Sequence, residues 1–450
     1  MKKLLGLFTI LSLLTKIASS VWAGTYYFAN SNVITINDSN PPPTTASPYP
    51  SVINVSGIPA NEKIDKITVT FHNLSHTFPS DIDILLVAPS TNIFFPPSLI
   101  LFSDVGAVPY GLSGATITLD DEAAATLPPF GPIVSGVFKP TNFDDGSTDI
   151  FPGVPFPSSA TNLSVFKGKN PNGTWRLDVV DDSFLESGTM AGGWSMTIRT
   201  AVTFANTNII TINDSTNPPT KANPYPSSIM VSNLIGNVIK VTATLHSFTH
   251  TFPDDVDILL AAPTATNLIL MSDAGGGHPG VTNLTFTFDD SAAVKMSDSG
   301  PLTNGTYLPS NFIGTGTDTF PPLTPVPSSA ANLSIFNGKN PNGTWNLYVV
   351  DDQSADAGQI ANGWSLSIVT EISAPVIINP GIVGILFRFD WVALSGVAYE
   401  VQVKSDLSSP TWTTIPSSYF LGDGGIHSFY IDPRFDPFPK FFRVVGGLQF

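Results

Sequence analysis

Short runs of alternating apolar and polar residues fill the chain, and sustained helical periodicity is nearly absent. Residues 64–71, 82–87, 115–119, 175–180 and 194–198 read as strands, rich in Ile, Val, Thr, Phe and Trp and bounded by turn formers. In Asp81-Ile82-Asp83-Ile84 two acids alternate with two isoleucines, so a period of two puts both carboxylates on one face and both apolar side chains on the other. From Leu85 onward both faces are apolar. The strand is therefore expected to start at a wet rim and to run into the interior between two sheets. Pro- and Ser-rich stretches at 40–51, 151–159 and 321–329 read as ordered loops crossing the sheet ends. With 40 Pro and 36 Gly in 450 residues, much of it between apolar runs, a helical bundle or coiled coil is excluded.

The pattern occurs twice. His76-Thr77-Phe78-Pro79-Ser80-Asp81-Ile82-Asp83-Ile84-Leu85-Leu86 returns as His250-Thr251-Phe252-Pro253-Asp254-Asp255-Val256-Asp257-Ile258-Leu259-Leu260. FKGKNPNGTWRLDVVDD, starting at Phe166, returns as FNGKNPNGTWNLYVVDD from Phe336, identical at 14 of 17 positions. Further pairs are Phe28-Ala29-Asn30 with Phe204-Ala205-Asn206, and Gly193-Trp194-Ser195 with Gly363-Trp364-Ser365. A unit this long is far beyond the roughly 20–50 residues of solenoid or propeller repeats, so each copy is expected to be a self-contained sandwich with its own core. After the repeats, a segment with strand-like runs at 385–391, 398–403, 412–415, 428–431 and 441–445 reads as one small sandwich.

Composition sharpens this. Hydrophobic residues make up 42% and charged residues only 12%, too apolar for a disordered chain. Thirty-five acids against 19 Lys and Arg give a net charge of −16, which repels nucleic acid. The chain has no cysteine, which excludes disulfides, thiol nucleophiles and Cys-ligated zinc or iron–sulfur sites. At the N-terminus Lys2 and Lys3 precede an apolar run at 4–14, and Val21-Trp22-Ala23 offers a cleavage site before Gly24, so residues 1–23 read as a secretory signal peptide. Its removal takes away three lysines and no acid. No later apolar stretch approaches the roughly 20 residues of a membrane span.

The repeated residues resemble the P domain (P/Homo B domain) of kexin- and furin-type proprotein convertases and of bacterial subtilisin-like proteases. The first copy matches its pattern at His76, Thr77, Asp81, Ile82, Ile84, Leu86, Pro89, Gly173, Trp175, Leu177, Asp181, Gly188 and Trp194. The second matches at His250, Thr251, Asp255, Val256, Ile258, Leu260, Pro263, Gly343, Trp345, Leu347, Asp351, Gly358 and Trp364. The chain departs from the family at Ala88 and Ala262, where Ser precedes Pro, and at Pro79-Ser80 and Pro253-Asp254, where convertases often carry Arg-Gly. The resemblance implies a β jelly roll of the galactose-binding-like kind that packs beside and stabilises a serine endopeptidase domain. That catalytic domain has no room here, and Gly188-Thr189-Met190-Ala191 is only a faint echo of a subtilase serine motif. The C-terminal segment is similar to a fibronectin type III module, through Trp391 and the run from Tyr399.

Paired carboxylates are the candidates for chemistry: Asp81 with Asp83, Asp120 with Asp121, and Asp181 with Asp182 in the first copy, and Asp255 with Asp257, Asp289 with Asp290, and Asp351 with Asp352 in the second. Calcium takes six to eight oxygens gathered from several loops, and such acids at strand ends can supply them. The more ordinary role of Asp there is to cap turns and keep margins soluble, and no EF-hand loop is present. His76 and His250, near Asp81 and Asp255, are read as structural, because no nucleophile recurs beside them. Trp175, Trp194, Trp345 and Trp364 sit in alternating strands and are assigned to the core. Tyr49, Tyr110 and Tyr225 are the only candidates for a sugar platform.

The sequence thus predicts an all-β protein: a signal peptide at 1–23, P-domain-like jelly rolls at 24–200 and 201–371, and a fibronectin-like sandwich at 372–450. The expected function is noncatalytic binding or scaffolding outside the cytoplasm. The partner is a protein or an extracellular surface, with calcium as the one candidate cofactor. The alternatives are an accessory role to a subtilisin-like protease and carbohydrate binding.

Overall fold

Where apolar and polar residues alternate, the chain forms strands. The structure is a computed structural model that describes residues 24–92, 94–107, 111–143, 146, 148–153, 158–276, 280–312, 318–371, 375–394, 397–406, 412–416, 418–432 and 441–448. The expected leader at 1–23 and Tyr110, one of the candidates for a sugar platform, lie outside these residues. The protein is all-β: among the described residues the only helical elements are 3-10 turns such as Pro79–Asp81 and Leu163–Phe166. Two compact units are present, one of Trp22–Ser232 and Gly236–Ser373, the other including Ala374–Phe450.

In the first unit each repeat contributes a six-stranded sheet of its own. In the first repeat Ile82–Val87 lies between Ser98–Ser103 and Gly173–Asp181, antiparallel to both, and the two-residue strand Thr141–Asn142 runs parallel to the end of Ser98–Ser103. The second repeat reproduces this with Val256–Ala261, Asn267–Ser272, Gly343–Asp351 and Ser310–Asn311. Among the described residues, the main hydrophobic core of the first repeat draws on residues between Tyr26 and Ile198.

The facing sheets are not separate, and here the expectation of two self-contained sandwiches is corrected. They join into one 13-stranded sheet. The strand Trp194–Asn206 pairs through its first half with Thr25–Asn30 and through its second half with Trp364–Glu371. Asn30 lies opposite Trp194 just as Asn206 lies opposite Trp364. The last strand of one repeat therefore runs on, without a turn, as the first strand of the next. Arg199-Thr200-Ala201-Val202-Thr203 holds no Gly, Pro, Asn or Asp that would break it, so the ladder continues across the boundary drawn at 200/201.

The four indoles fill the interior as expected, each 1% exposed or less. Trp175 Nε1 donates to the Pro171 carbonyl at 2.9 Å and Trp345 Nε1 to that of Pro341 at 2.8 Å. Trp194 and Trp364 each donate to a serine hydroxyl, Ser51 and Ser227, at 3.0 Å. Phe166 and Phe336 pack edge-on against Trp175 and Trp345. A buried indole whose N–H is satisfied locks its rotamer as well as excluding water.

The C-terminal unit consists of a three-stranded sheet of Ile378–Val383, Leu386–Val392 and Ile426–Ile431 and a four-stranded sheet centred on Ala398–Lys404. Phe389, Trp391 and Tyr399 are its fully buried aromatics among the described residues.

Candidate functional site

Ile82–Val87 has no wet rim. All six residues are buried, and Asp83 is 0% exposed, contrary to the expectation that Asp81 and Asp83 share a solvent-facing edge. Asp81 closes the 3-10 turn before the strand, while Asp83 points among other acids. The cause is a neighbouring strand on each side and the loop that follows Ser98–Ser103.

Three carboxylates, Asp83, Asp104 and Asp149, converge there, with one oxygen from each lying within 4.8 Å of the others. Asp257, Asp273 and Asp318 do the same in the second repeat. The local fold explains the convergence. Asp104 and Asp273 follow the strand-ending Ser103 and Ser272 and take left-handed backbone, at φ 56° and 51°, a conformation that Asp tolerates better than most residues. Asn142 and Asn311 pair with those serines across the parallel ladder. Their Nδ2 groups donate to Asp149 Oδ2 at 2.9 Å and Asp318 Oδ2 at 3.1 Å, which turns each carboxylate's other oxygen toward the serine. Ser103 Oγ donates to Asp83 Oδ1 at 2.7 Å and also lies 3.0 Å from Asp104 Oδ2 and 3.1 Å from Asp149 Oδ1. One hydroxyl has one proton to give, yet three carboxylate oxygens surround it.

Electrostatics follow from this crowding. Burial pushes the Asp83 carboxyl up to about 8; the Ser103 hydroxyl opposes the shift, while Asp182, Asp149 and Asp104 add to it. Burial takes Asp257 to about 8 as well, opposed by Ser272 and reinforced by Asp318, Asp352 and Asp273. Asp255 rises to about 7, through burial and then Asp351 and Asp352, and Asp352 to about 6, through burial and then Asp273. An open cleft of about 450 Å³ reaches the first cluster and is lined in part by Asp104, Asn142 and Asp149.

Six of the other expected acids have protein partners. Asp121 accepts the backbone N–H groups of Leu163 and Ser164 at 2.8 and 2.9 Å, and Asp290 those of Leu333 and Ser334 at 2.7 Å each. Asp120 pairs with Lys66 at 2.9 Å; Asp289 pairs with Lys167 at 2.9 Å and Lys240 at 3.2 Å. Asp181 and Asp351 face histidines: His76 Nε2 lies 3.1 Å from Asp181 Oδ2 and His250 Nε2 3.2 Å from Asp351 Oδ2, all four side chains buried. The expected neighbours of these histidines were Asp81 and Asp255. Nδ1 of each ring sits against the backbone of Phe78 or Phe252, so neither nitrogen meets a hydroxyl.

The sequence reading missed Asp104, Asp149, Asp273 and Asp318. Its signals were the repeated Ser-Asp-x-Gly at Ser103 and Ser272 and the shared spacing of Asn142 to Asp149 and Asn311 to Asp318. It also missed a repeated serine–histidine contact. His72 Nε2 is 2.8 Å from Ser195 Oγ and His246 Nε2 is 2.8 Å from Ser365 Oγ. These serines lie inside strands paired on both sides, and among the described residues no carboxylate holds the far nitrogen of either ring. A nucleophilic serine of the triad type instead sits on a sharp exposed turn, beside a histidine oriented by an acid.

No family model matches the chain, and no curated protein matches it.

Proposed function

We propose that the chain is a secreted, noncatalytic scaffolding or binding protein whose two P-domain-like repeats, followed by a fibronectin-like module, present a rigid β surface to a protein or extracellular partner. The observation that carries this reading is that the groups able to do chemistry are committed to the fold. The His76–Asp181 and His250–Asp351 pairs are sealed from solvent, and Ser195 and Ser365 are built into ladders. Secretion is supported by the basic-apolar-small pattern of residues 1–23. The P-domain resemblance supports a subtilisin-like protease as the partner class, with this chain as an accessory rather than the enzyme. Carbohydrate binding has less behind it: the four repeat tryptophans are buried, Tyr225 packs edge-on against Tyr348, and the Tyr49 hydroxyl donates to the Pro152 carbonyl.

The test is incubation of the purified protein with casein, with peptide esters and with a fluorophosphonate that labels activated serines. The expected result is no turnover and no label on Ser195 or Ser365. Labelling of either serine, or hydrolysis lost in Ser195→Ala, would overturn the proposal.

A further inference from the structure

We propose that each repeat holds one calcium ion, bound by Asp83, Asp104, Asp149 and the Ser103 hydroxyl in the first and by Asp257, Asp273, Asp318 and Ser272 in the second. This inference stands apart from the proposed function, since a scaffold needs no metal and a metal site needs no particular partner.

Geometry is the first argument. Calcium–oxygen distances are about 2.3–2.6 Å, so two ligand oxygens on opposite sides of one ion stand about 4.6–5.2 Å apart. The oxygens of each triad all lie within 4.8 Å of one another, so one ion can touch all three. Protein hydrogen bonds leave part of each triad unsatisfied. Asp83 is 0% and Asp257 2% exposed, and Oδ2 of each has no hydrogen-bond partner. A buried polar atom left unbonded is costly, and a carboxylate oxygen costs more than a neutral one.

Charge is the second argument. Lysines answer the buried Asp289, but no lysine, arginine or histidine is ion-paired with Asp83 or Asp257 among the described residues. The ionisable groups gathered around each of them are further aspartates. The donors are oxygen throughout, carboxylate and hydroxyl, which suits a hard cation and not zinc or copper. The ligands come from a strand, a left-handed turn and a loop rather than a preset octahedron, and the cleft beside Asp104 and Asp149 leaves room for water. Calcium accepts such variable coordination of six to eight oxygens, whereas magnesium demands near-ideal octahedral geometry and dehydrates reluctantly. The same residue types at equivalent places in both repeats show that the arrangement is not the accident of one loop.

Isothermal titration of the full chain, stripped with EDTA and dialysed, with calcium chloride tests the proposal. Two ions per chain are expected, one in Asp83→Asn, and none in the double variant D83N/D257N. The calcium-free double variant is expected to melt no lower than the parent, because Asn relieves repulsion, while its upward melting shift on adding calcium disappears. Should the buried substitutions prevent folding, D149N/D318N alters the half-buried rim instead and is expected to weaken binding at least tenfold. No uptake at millimolar calcium, two ions still bound by D83N/D257N, or unchanged affinity in D149N/D318N would each overturn the assignment.

Discussion

Asp289 and Asp257 belong to the same repeat and are both withdrawn from water, yet their surroundings carry opposite charge. Asp289 lies where the repeats meet, in an alternating chain of ions that runs from Arg199 to Asp65, Lys240, Asp289 and Lys167. Burial acts to raise its carboxyl, but the Ser291 amide and the two lysines overcome that and hold it well below the usual carboxylate range. Asp257, also withdrawn from water, sits among aspartates and rises to about 8. Burial alone does not decide whether an acid keeps its charge; the sign of what is buried with it does. At 4 Å and an effective dielectric constant near 20, one opposite charge contributes about 4 kcal/mol, enough to reverse the direction.

The largest effect that sharpens this contrast is expected from Asp289→Asn. It leaves Lys167 and Lys240 facing a neutral amide and should cost about 2–3 kcal/mol in urea unfolding, less than a fully buried pair because the lysine ends reach solvent. Asp257→Asn without calcium should cost nothing or stabilise. Equal losses from both would break the comparison.

Glu62 is a third kind of buried acid. It sits beside the strand that crosses between repeats and accepts hydrogen bonds from the hydroxyls of Tyr26 and Thr200, with no cation paired to it among the described residues, and burial raises its carboxyl. A raised folded-state value means that the folded chain holds the proton longer than the unfolded one. Stability should therefore fall as pH climbs from the ordinary carboxyl value, about 4.3, to the raised one, and level off above it. Glu62→Gln should flatten that slope and raise stability at neutral pH, with no gain below about pH 4. A gain independent of pH would remove Glu62 from this account.

Smaller effects separate the repeats. Lys167→Met removes one of two cations on Asp289 and should cost about 0.5–1 kcal/mol. Lys66→Met, at the more open pair with Asp120 and Glu122, should cost only a few tenths.

Much of the architecture was legible because it is local. The strand expected at 82–87 forms as Ile82–Val87, and the tryptophans expected in the core are there, since alternation and flanking turns act over a few residues. What was not legible depends on distance along the chain. Asp121 meets the amides of Leu163 and Ser164, and Asp83 meets Asp149, through loops whose course no short motif encodes. The shared sheet was readable in principle, since nothing between Arg199 and Thr203 ends a strand, but the length of the repeat points to a self-contained unit and does not say which strands pair across its boundary.

The central claim is that the acid clusters which no cationic side chain answers are answered by calcium instead. Native mass spectrometry of the chain exchanged into ammonium acetate with trace calcium tests it most directly. The account predicts a dominant species carrying two calcium ions, reduced to one in Asp83→Asn. A chain that stays metal-free, or that keeps two ions in D83N/D257N, contradicts it.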